Sequence, residues 1–327
     1  MALPPIVLVT GAAGFVGTHL LDRLPSGEAR VIAWRRPGES LPPAPTGTGC
    51  EWAEVDVLDR AAVAAAVAAN PPAMVFHLAG VAHVGQSWDR AAQTLAVNVL
   101  GTHHLLSAIQ AFAPSCRVLI SGSALVYRPQ ARALTEDDPL GPVSPYGLSK
   151  LAQEMAGLQA FAESGLPVIV TRSFNHIGPR QDPSFSTPSF ARQIARIEAG
   201  LAPPTVLVGN LDARRDLTDV RDTVDAYHEL LVRGEAGRAY NVCRGIAYRV
   251  GDILEGLRAQ ARVPIETRTD GALLRRHDVP VMLGSGARLA RELGWVPRIP
   301  IERTLADILD YWRGIVAETG RRGDAAT

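Results

Sequence analysis

Tyr146 and Lys150 are of types, and at a spacing, that point to acid–base chemistry. They stand four positions apart in the segment SPYGLSKLAQE, residues 144–154. Ser144 and Pro145 suit the start of a helix, and apolar residues then recur at helical spacing, so the phenol and the ammonium share one helical face. A lysine cation about 5 Å away, at an effective dielectric constant of about 20, favours the phenolate by roughly 3 kcal/mol, or about 2 pKa units.

A lowered pKa would let this tyrosine exchange protons near neutral pH as a general acid or base. The spacing Tyr-x-x-x-Lys also occurs by chance. An exposed helix whose Tyr146 and Lys150 meet only water is therefore the alternative, and other segments must decide between the two.

The composition argues against several classes of protein. Of 327 residues, 47% are hydrophobic, and 33 Lys+Arg balance 33 Asp+Glu, so no basic field favours nucleic acid or a membrane surface. We expect no signal peptide, and no apolar run is long enough to span a bilayer. Cys50, Cys116 and Cys243 form no metal-binding or disulfide pattern, so no metal site is expected and a cytoplasmic location is favoured.

Short apolar segments alternate with helical patterns in the first half of the chain. Strands are predicted at 6–10, 31–34, 51–55, 74–78, 117–121 and 168–172, and helices at 14–24, 60–69, 89–112 and 145–164. This alternation predicts an α/β fold with a doubly wound parallel sheet of the Rossmann type. Beyond 172 the pattern predicts helices at 189–199, 220–232, 250–261 and 301–317, and strands at 206–208 and 240–242.

A glycine-rich turn, VTGAAGFVG, follows the first predicted strand with the spacing G-x-x-G-x-x-G. The first glycine permits a tight turn, the second lets the backbone approach a diphosphate, and the third lets the helix pack on the strand. The diphosphate then faces the helix N-terminus. The turn is predicted to bind a dinucleotide through Gly11, Ala13, Gly14, Phe15, Val16 and Gly17.

The end of the second strand bears on which dinucleotide is bound. An NAD-preferring site usually has an acidic residue there, whereas this chain has Trp34, Arg35 and Arg36. Arginine pairs well with a 2′-phosphate, which favours NADP(H) with NAD possible, although an exposed arginine pair on a turn is the alternative. The other predicted cofactor contacts, besides Tyr146 and Lys150, are Asp56, Val57, Leu78, Ala79 and Gly80.

Two further polar residues are placed to complete a catalytic site. Ser123 follows the fifth strand, where side chains of this architecture face the ligand crevice, and it could hydrogen-bond a substrate carbonyl. Asn98 lies inside a long predicted helix, where asparagine is unfavourable. It is either a surface amide or a group that holds water or backbone near Lys150.

Together these motifs resemble the extended short-chain dehydrogenase/reductase family, also described as NAD-dependent epimerase/dehydratases. The matching text is TGxxGxxG, HLAG (77–80), VNVLGT (97–102), the serine of SALVY and YxxxK. The resemblance implies that Ser123, Tyr146 and Lys150 are catalytic, supported by Asn98. It implies that Tyr146 exchanges a proton with the substrate while hydride moves to or from nicotinamide, and that Lys150 lowers the phenol pKa and binds the nicotinamide ribose.

Two positions after Ser123 narrow the branch of that family. Sugar-nucleotide 4,6-dehydratases carry an acid pair there, and epimerase/reductases similar to GDP-fucose synthase carry a cysteine at the second position. This chain has Ala124 and Leu125, which can do neither chemistry. What remains is the transfer of one hydride and one proton.

The second half, from about 172 to 312, contains the segments RSFNHIGPRQ, FARQIARIEAG, VGNLDARRDLTDVRD, AYNVCRG, DVPVMLG, LGWVPRIPIERTL and LDYW. In these segments it resembles the branch of GDP-4-keto-6-deoxy-D-mannose reductases. The resemblance implies that Asn175 binds the diphosphate side of a nucleotide sugar and that Arg215 lies near GDP. Val208 and Leu207 could pack on guanine. Arg275 or Arg276 is also expected near GDP, although surface charge is an alternative for both and for Arg214.

The resemblance implies hydride transfer from NADPH, or NADH, to the 4-keto group of a nucleotide-linked 6-deoxy-hexose. The expected reaction converts GDP-4-dehydro-6-deoxy-D-mannose to GDP-D-rhamnose. A C4 epimerase, a reductase of another GDP, dTDP or UDP sugar, and a non-catalytic NADP-binding sensor remain open. The texts SGSALVY, YRPQ and RRHD depart from the expected pattern around the sugar.

The resemblance also bears on domains and assembly. Residues 1–172 and 214–242 are predicted to form an NADP-binding Rossmann domain, and 173–213 and 243–318 a smaller, discontinuous α/β domain for the sugar nucleotide. Residues 319–327 are predicted to be a flexible tail. A homodimer through a four-helix bundle of helices 89–112 and 145–164 is implied, although their Ala- and Leu-rich faces would also suit an ordinary core.

Overall fold

The computed structural model describes residues 4–24, 27–41, 49–274 and 279–324, with only the backbone described for 320–324. Its main element is a seven-stranded parallel sheet. Numbered along the chain, its strands are β1 (Ile6–Thr10), β2 (Arg30–Arg35), β3 (Cys50–Glu54), β4 (Met74–His77), β5 (Arg117–Ser121), β6 (Val168–Ser173) and β10 (Arg238–Val242). Their spatial order is β10-β6-β5-β4-β1-β2-β3, which confirms the predicted Rossmann-type doubly wound sheet.

Helices cover both faces of this sheet because successive strand residues point to opposite sides. Leu8 and Val9, neighbours on β1, enter two different apolar cores. The core around Val9 is closed by α1 (Phe15–Arg23), α7 (Val220–Arg233) and α9 (Ala287–Leu293). The core around Leu8 is closed by α2 (Arg60–Ala69), α4 (Gly101–Phe112) and α5 (Pro145–Ser164).

The strand order reverses beside β1. The chain proceeds from β1 to β2 and β3 on one side, and then returns to β4 on the other side. Thr10 at the end of β1 is the register partner of His77 at the end of β4. Ligands of open α/β sheets bind in the crevice at such a reversal, so Thr10 and His77 mark where the site should lie.

The second half builds a smaller α/β unit around its own core, which includes Ile194, Leu254 and Leu309. Its strands are β7 (Asn175–Ile177), β8 (Thr205–Val208), β9 (Arg214–Asp219), β11 (Ala247–Arg249), β12 (Glu266–Thr269) and β13 (Val281–Met282). Strand β9 pairs with β7, β11 and β13, and β8 pairs with β12. The helices are α6 (Ser186–Glu198), α8 (Val250–Arg258) and α10 (Ile301–Asp324).

Several elements differ from the sequence-based prediction. β9, which the predicted division assigns to the Rossmann domain, pairs within the smaller unit, and the chain returns to the large sheet with α7. α10 continues to Asp324 and covers most of the predicted flexible tail. The strands β7, β9, β11, β12 and β13 and the helix α9 were not expected; β12 is exposed throughout, so it has no apolar pattern to recognise.

The long helix predicted at 89–112 is divided. α3 (Ala91–Leu95) is followed by a π-helical turn over Ala96–Leu100 and then by α4. The turn holds Asn98, which is fully buried. Within the described ranges no helix is both long and apolar enough to cross a membrane.

Candidate active site

The glycine-rich turn has the close approaches that its spacing predicts. Gly11 has φ +65°, and a β-carbon there would lie 2.7 Å from the backbone nitrogen of Ala79. A β-carbon on Gly17 would lie 2.5 Å from the carbonyl oxygen of Gly11, so α1 can pack this closely only with glycine. Gly14 is exposed and Ala13, Phe15 and Val16 are partly exposed, so the first turn of α1 presents an open surface to a ligand.

Three residues at the end of β2 were predicted to contact the cofactor, and only one of them has an exposed side chain without a partner among the described residues. Trp34 is 3% exposed and packs into a core, so the predicted side-chain contact of Trp34 with a cofactor is not supported. Arg35 pairs with Glu54 at 2.5 Å and donates to the carbonyl oxygen of Glu39. Arg36 is exposed, and among the described residues its guanidinium has no partner.

The ends of β3 and β4 lie beside the glycine-rich turn. Asp56 Oδ1 accepts a hydrogen bond from the backbone of Leu58 at 2.9 Å, and Asp56 is partly exposed. Val57 is buried against α4, whose Gly101 has no room for a β-carbon beside it. Leu78 and Ala79 are partly exposed and Gly80 is exposed.

Tyr146 is brought to Ser123 by the packing of two turns. Ser144 caps α5 by accepting from the backbone of Gly147 at 3.0 Å. A β-carbon on Gly147 would collide with the carbonyl oxygen of Leu125, so the start of α5 lies directly on the 3₁₀ turn Ala124–Val126. Ser123 caps that turn, and its side chain acts on the Tyr146 phenol, where it opposes the rise in the pKa of Tyr146 that burial causes.

Lys150 lies beneath this pair and is 6% exposed. Its Nζ donates to the carbonyl oxygen of Ser121 at 2.9 Å and to Gln153 Oε1 at 2.9 Å. The ammonium is 6.0 Å from the centre of the Tyr146 ring. The structure therefore brings Ser123, Tyr146 and Lys150 together at the carboxyl end of β5.

Asn98 connects the loop after β4 to α5. Its Oδ1 accepts from the backbone of Val81 at 2.8 Å, and its Nδ2 donates to Ser149 Oγ at 2.9 Å. Ser149 stands between Tyr146 and Lys150 on α5. Asn98 thus holds backbone next to the lysine, one of the two readings that the sequence left open.

The pKa of Tyr146 corrects one sequence-based expectation. Burial raises it to about 12, and hydrogen bonding with Ser123 opposes the rise. The expected lowering by Lys150 does not appear: burial dominates the pKa of Tyr146, and the ammonium donates to Ser121 and Gln153. Burial also lowers the pKa of Lys150 to about 8. At neutral pH Tyr146 is therefore a protonated phenol, which can donate a proton.

The residues predicted to bind substrate differ in their exposure to solvent. Asn175 is exposed at the start of β7. Val208 is fully buried in the core of the smaller α/β unit, which argues against its predicted contact with guanine. Leu207 is partly exposed. Arg215 Nη1 donates to the carbonyl oxygen of Val279 at 2.7 Å. Arg214 is exposed, and Arg275 and Arg276 lie outside the described residues.

The sequence-based interpretation missed several residues at the site. Ser87 Oγ accepts from the backbone of Tyr146 at 3.2 Å. His83 stacks on Phe185 with ring centres 4.8 Å apart, and so joins the loop after β4 to the start of α6. Gln153 is three positions after Lys150, and this helical spacing was the available clue. Ser87 and His83 had none.

No group of three or more His, Cys, Asp and Glu side chains in the described part of the chain could hold a metal ion. A cavity of about 270 Å³ between α1, α7 and residues 293–298 shares no residue with the predicted site. The predicted catalytic residue Ser123 follows the carboxyl end of β5, where the Lys150 ammonium donates to the carbonyl oxygen of Ser121.

Comparison with known proteins gives a consistent family. The family model described as GDP-mannose 4,6 dehydratase matches residues 8–308. GDP-6-deoxy-D-mannose reductase of Pseudomonas aeruginosa is 38% identical over 322 residues, covering 95% of this chain and 98% of the relative. UDP-glucose 4-epimerase of Bacillus subtilis is 28% identical, covering 94% of this chain and 96% of the relative.

The solved structure of RMD from Pseudomonas aeruginosa complexed with NADPH superposes with a TM-score of 0.82 at 37% identity, covering 95% of this chain and 99% of that one. MoeE5 in complex with UDP-glucose and NAD has a TM-score of 0.82 at 29% identity, covering 95% and 99%. The likeness therefore extends over both units of the fold.

Proposed function

The chain belongs to the GDP-mannose 4,6-dehydratase family of extended short-chain dehydrogenase/reductases, and we propose that it is a reductase acting on the 4-keto group of a nucleotide-linked 6-deoxy-hexose. The observation that carries the proposal is the meeting of Ser123, Tyr146 and Lys150 beside the apolar pair Ala124 and Leu125. The name of the Pseudomonas relative supports GDP-4-dehydro-6-deoxy-D-mannose as substrate and GDP-D-rhamnose as product.

The pair after Ser123 is the reason for proposing reduction without dehydration. Ala124 is 2% exposed and packs in a small core with Val126 and Tyr127, and Leu125 packs on its edge. Neither side chain can carry a proton to or from the sugar carbons next to the carbonyl. The chemistry left to these residues is proton donation to one oxygen.

The residues of the glycine-rich turn fit NADPH. β-Carbons on Gly11 and Gly17 would collide with the backbone of Ala79 and of Gly11 itself, so only glycine permits this tight turn, and the start of α1 offers its positive dipole end to a diphosphate. Arg36 is proposed to pair with the 2′-phosphate. When bound, NADPH supplies the hydride; the NADPH complex of the Pseudomonas protein supports this choice, and the NAD complex of MoeE5 supports NAD as a second possibility.

Ser123 and Tyr146 are proposed to hydrogen-bond the 4-keto oxygen. A phenol with a pKa of about 12 stays protonated at neutral pH, so Tyr146 can give its proton to the oxygen as negative charge develops there. Lys150 is proposed to contact the nicotinamide ribose, with Asn98 fixing the backbone beside it. Asn175, Leu207 and Arg215 are proposed to bind the nucleotide portion, and Arg275 and Arg276 stay predictions.

The experiment is product analysis by NMR after the enzyme has been mixed with GDP-4-keto-6-deoxy-D-mannose and NADPH. We expect NADPH oxidation in step with formation of GDP-D-rhamnose. GDP-mannose alone serves as the control, and its conversion to the 4-keto sugar would contradict the proposed loss of dehydratase chemistry. NADP binding without turnover of any keto sugar nucleotide would favour a sensor.

A C4 epimerase is the second candidate, because the epimerase of Bacillus subtilis matches along most of the chain and such enzymes could use the same three residues. Incubation with UDP-glucose and NAD separates the two. Formation of UDP-galactose without net change in NADH would favour the epimerase.

A homodimer is also proposed. Leu100 at the end of the π-helical turn and Leu148 and Met155 on α5 are 51%, 51% and 61% exposed. Large apolar side chains on adjacent helices support a shared face, which two subunits would close as a four-helix bundle. Light scattering should give twice the monomer mass, and Met155→Glu should shift the protein towards the monomer.

A cytoplasmic location is proposed as well. Cys50, Cys116 and Cys243 are free thiols, and burial raises the pKa of all three. Unpaired, unreactive thiols are compatible with a reducing compartment. Fractionation of cells that express the natural gene would test the location.

A further inference from the structure

Lys150 is the only lysine in the 327-residue sequence. Its ammonium is the first group in a hydrogen-bonded series of buried side chains. The proposed reaction assigns no role to the other members of this series. Lys150 Nζ donates to Gln153 Oε1 at 2.9 Å, and Gln153 Nε2 donates to Thr102 Oγ1 at 2.8 Å. Gln153 and Thr102 are both 0% exposed. A single amide therefore bridges the cation on α5 and a hydroxyl on α4.

The hydrogen-bonded series continues to the ends of two strands of the large sheet. Thr102 Oγ1 donates to the carbonyl oxygen of Asn98 at 2.7 Å and lies 2.8 Å from His77 Nε2. His77 Nδ1 lies 2.8 Å from Thr10 Oγ1, which accepts from the backbone of Ala79 at 3.2 Å. The hydrogen-bonded series thus ends at Thr10, directly before the glycine-rich turn.

Only one arrangement of protons satisfies all of these contacts with neutral partners. Thr102 gives its proton to Asn98, so it accepts from both Gln153 and His77 Nε2–H. His77 Nδ1 then accepts the proton of Thr10. Burial, with the nearby charge of Lys150, lowers the pKa of His77 to about 3, in agreement with this neutral imidazole.

We propose that Gln153 is a positioning residue for Lys150. Its amide holds the ammonium in a fixed position relative to α4, and the amide oxygen stabilises the positive charge of the ammonium. The inference rests on the proposed function of Lys150. A buried amide is costly unless both of its ends are bonded, and here one end is matched to a cation and the other to a hydroxyl. An apolar residue would leave the Lys150 ammonium with the single carbonyl of Ser121.

Most of the groups that face Lys150 are uncharged, so few charges other than its own affect the pKa of Lys150. α5 contributes Tyr146, and β4 contributes His77, which is neutral. The partners from β5, the π-helical turn and α4 are uncharged. Glu154, next to Gln153, is turned to Arg172 at 2.6 Å. A carboxylate or an apolar group at position 153 should therefore change the pKa of Lys150 strongly.

The single lysine permits a direct test. Protein grown with lysine labelled with ¹³C at the ε-carbon should give one NMR resonance whose shift follows the protonation of Lys150. The wild-type midpoint is expected near 8. We expect Gln153→Glu to raise it by about 1 to 3 pKa units, because a carboxylate would stand beside the ammonium. Gln153→Leu should lower it.

Gln159→Glu and Gln159→Leu are the matched controls, because Gln159 is exposed on the same helix. They should leave the midpoint unchanged. The nearly isosteric Gln153→Glu keeps the test valid if Gln153→Leu fails to fold. Midpoints of the Gln153 variants equal to that of the wild type would overturn the inference.

Activity gives a second readout and separates this inference from the proposed function. In a pH profile of kcat, the alkaline limb of Gln153→Glu should move in the same direction as the lysine midpoint, with the Kd of NADPH within a few-fold of wild type. A wild-type protein without reductase activity would refute the proposed function and leave the NMR result to judge Gln153. An active wild type with unmoved midpoints would refute only the role of Gln153.

Discussion

Gly147 lies so close to Leu125 that a β-carbon on the glycine would collide with the leucine carbonyl oxygen. A β-carbon would also come within 2.9 Å of Pro142 Cβ. The obstacle is backbone, which cannot rotate away as a side-chain end could. The separation of Tyr146 from Ser123 is therefore set by the absence of a side chain at the next position.

Replacing Gly147 with alanine should push the start of α5 away from the 3₁₀ turn and misplace the phenol. Because a displacement of about 1 Å can cost roughly 10²-fold in rate, we expect kcat to fall about 10²-fold while NADPH still binds. Steady-state kinetics and fluorescence titration measure the two effects. Gly314→Ala is the control, since a β-carbon there meets nothing within 4 Å; equal kcat for both variants would disprove the packing argument.

Arg36 should determine the preference for NADPH. Its guanidinium is exposed at the end of β2, whereas Arg35 is paired with Glu54. Loss of a charge-assisted hydrogen bond of about 1.5–3 kcal/mol predicts that Arg36→Gln weakens NADPH binding by roughly 10- to 100-fold. Binding of NADH should change little, and Kd values for both cofactors check this. Equal losses for the two cofactors would place Arg36 elsewhere than at the 2′-phosphate.

The buried ion pair between Glu154 and Arg172 should be a stability determinant. Their side chains are 1% and 7% exposed, and the nearest atoms are 2.6 Å apart. Glu154→Leu leaves the guanidinium charge without its counter-ion, which should lower the free energy of unfolding by about 3–5 kcal/mol. Urea unfolding measures it. Glu266→Leu, at an exposed position on β12, should change stability by less than about 0.5 kcal/mol; similar losses at both positions would count against the pair.

His77 should make the fold sensitive to acid. Its folded-state pKa is about 3, below the unfolded value of 6.5, so between these values the unfolded chain binds a proton that the native chain does not. Stability should therefore fall as pH decreases from 6.5 towards 3, by roughly 1.4 kcal/mol per pH unit from this group.

Asp216 contributes the opposite slope, because burial raises its pKa to about 6. The quantity to measure is therefore the difference in the free energy of unfolding between wild type and His77→Gln at several pH values. That difference should shrink as the pH is lowered. His103→Gln, at an exposed position on α4, is the control, and a difference that does not depend on pH would refute the assignment.

The first half of the fold follows from local patterns. β1, β5, α2 and α5 occupy the ranges that alternating apolar segments and capping residues predict. Such patterns exist because these strands are buried on both faces and their helices on one. The glycine-rich turn was also predictable, since its spacing reflects backbone approaches that only glycine permits.

The remainder depends on contacts between distant segments. β9 reads RRDLTD, which gives no strand pattern, yet it pairs with β7, β11 and β13. Burial dominates the pKa of Tyr146, and that burial depends on distant segments, so the pKa could not be derived from the helical spacing alone. The burial of Val208 likewise depends on the packing of the second unit.

The central claim is that Tyr146 gives a proton to the 4-keto oxygen while one hydride reaches the 4-carbon of the sugar. It is tested most directly by NMR of the product formed from GDP-4-keto-6-deoxy-D-mannose and NADPH that carries deuterium in the transferred position. The account predicts one deuterium at C4 with the wild type, and a rate lower by orders of magnitude with Tyr146→Phe, which still binds NADPH. Unlabelled product, or equal rates for the two proteins, would contradict it.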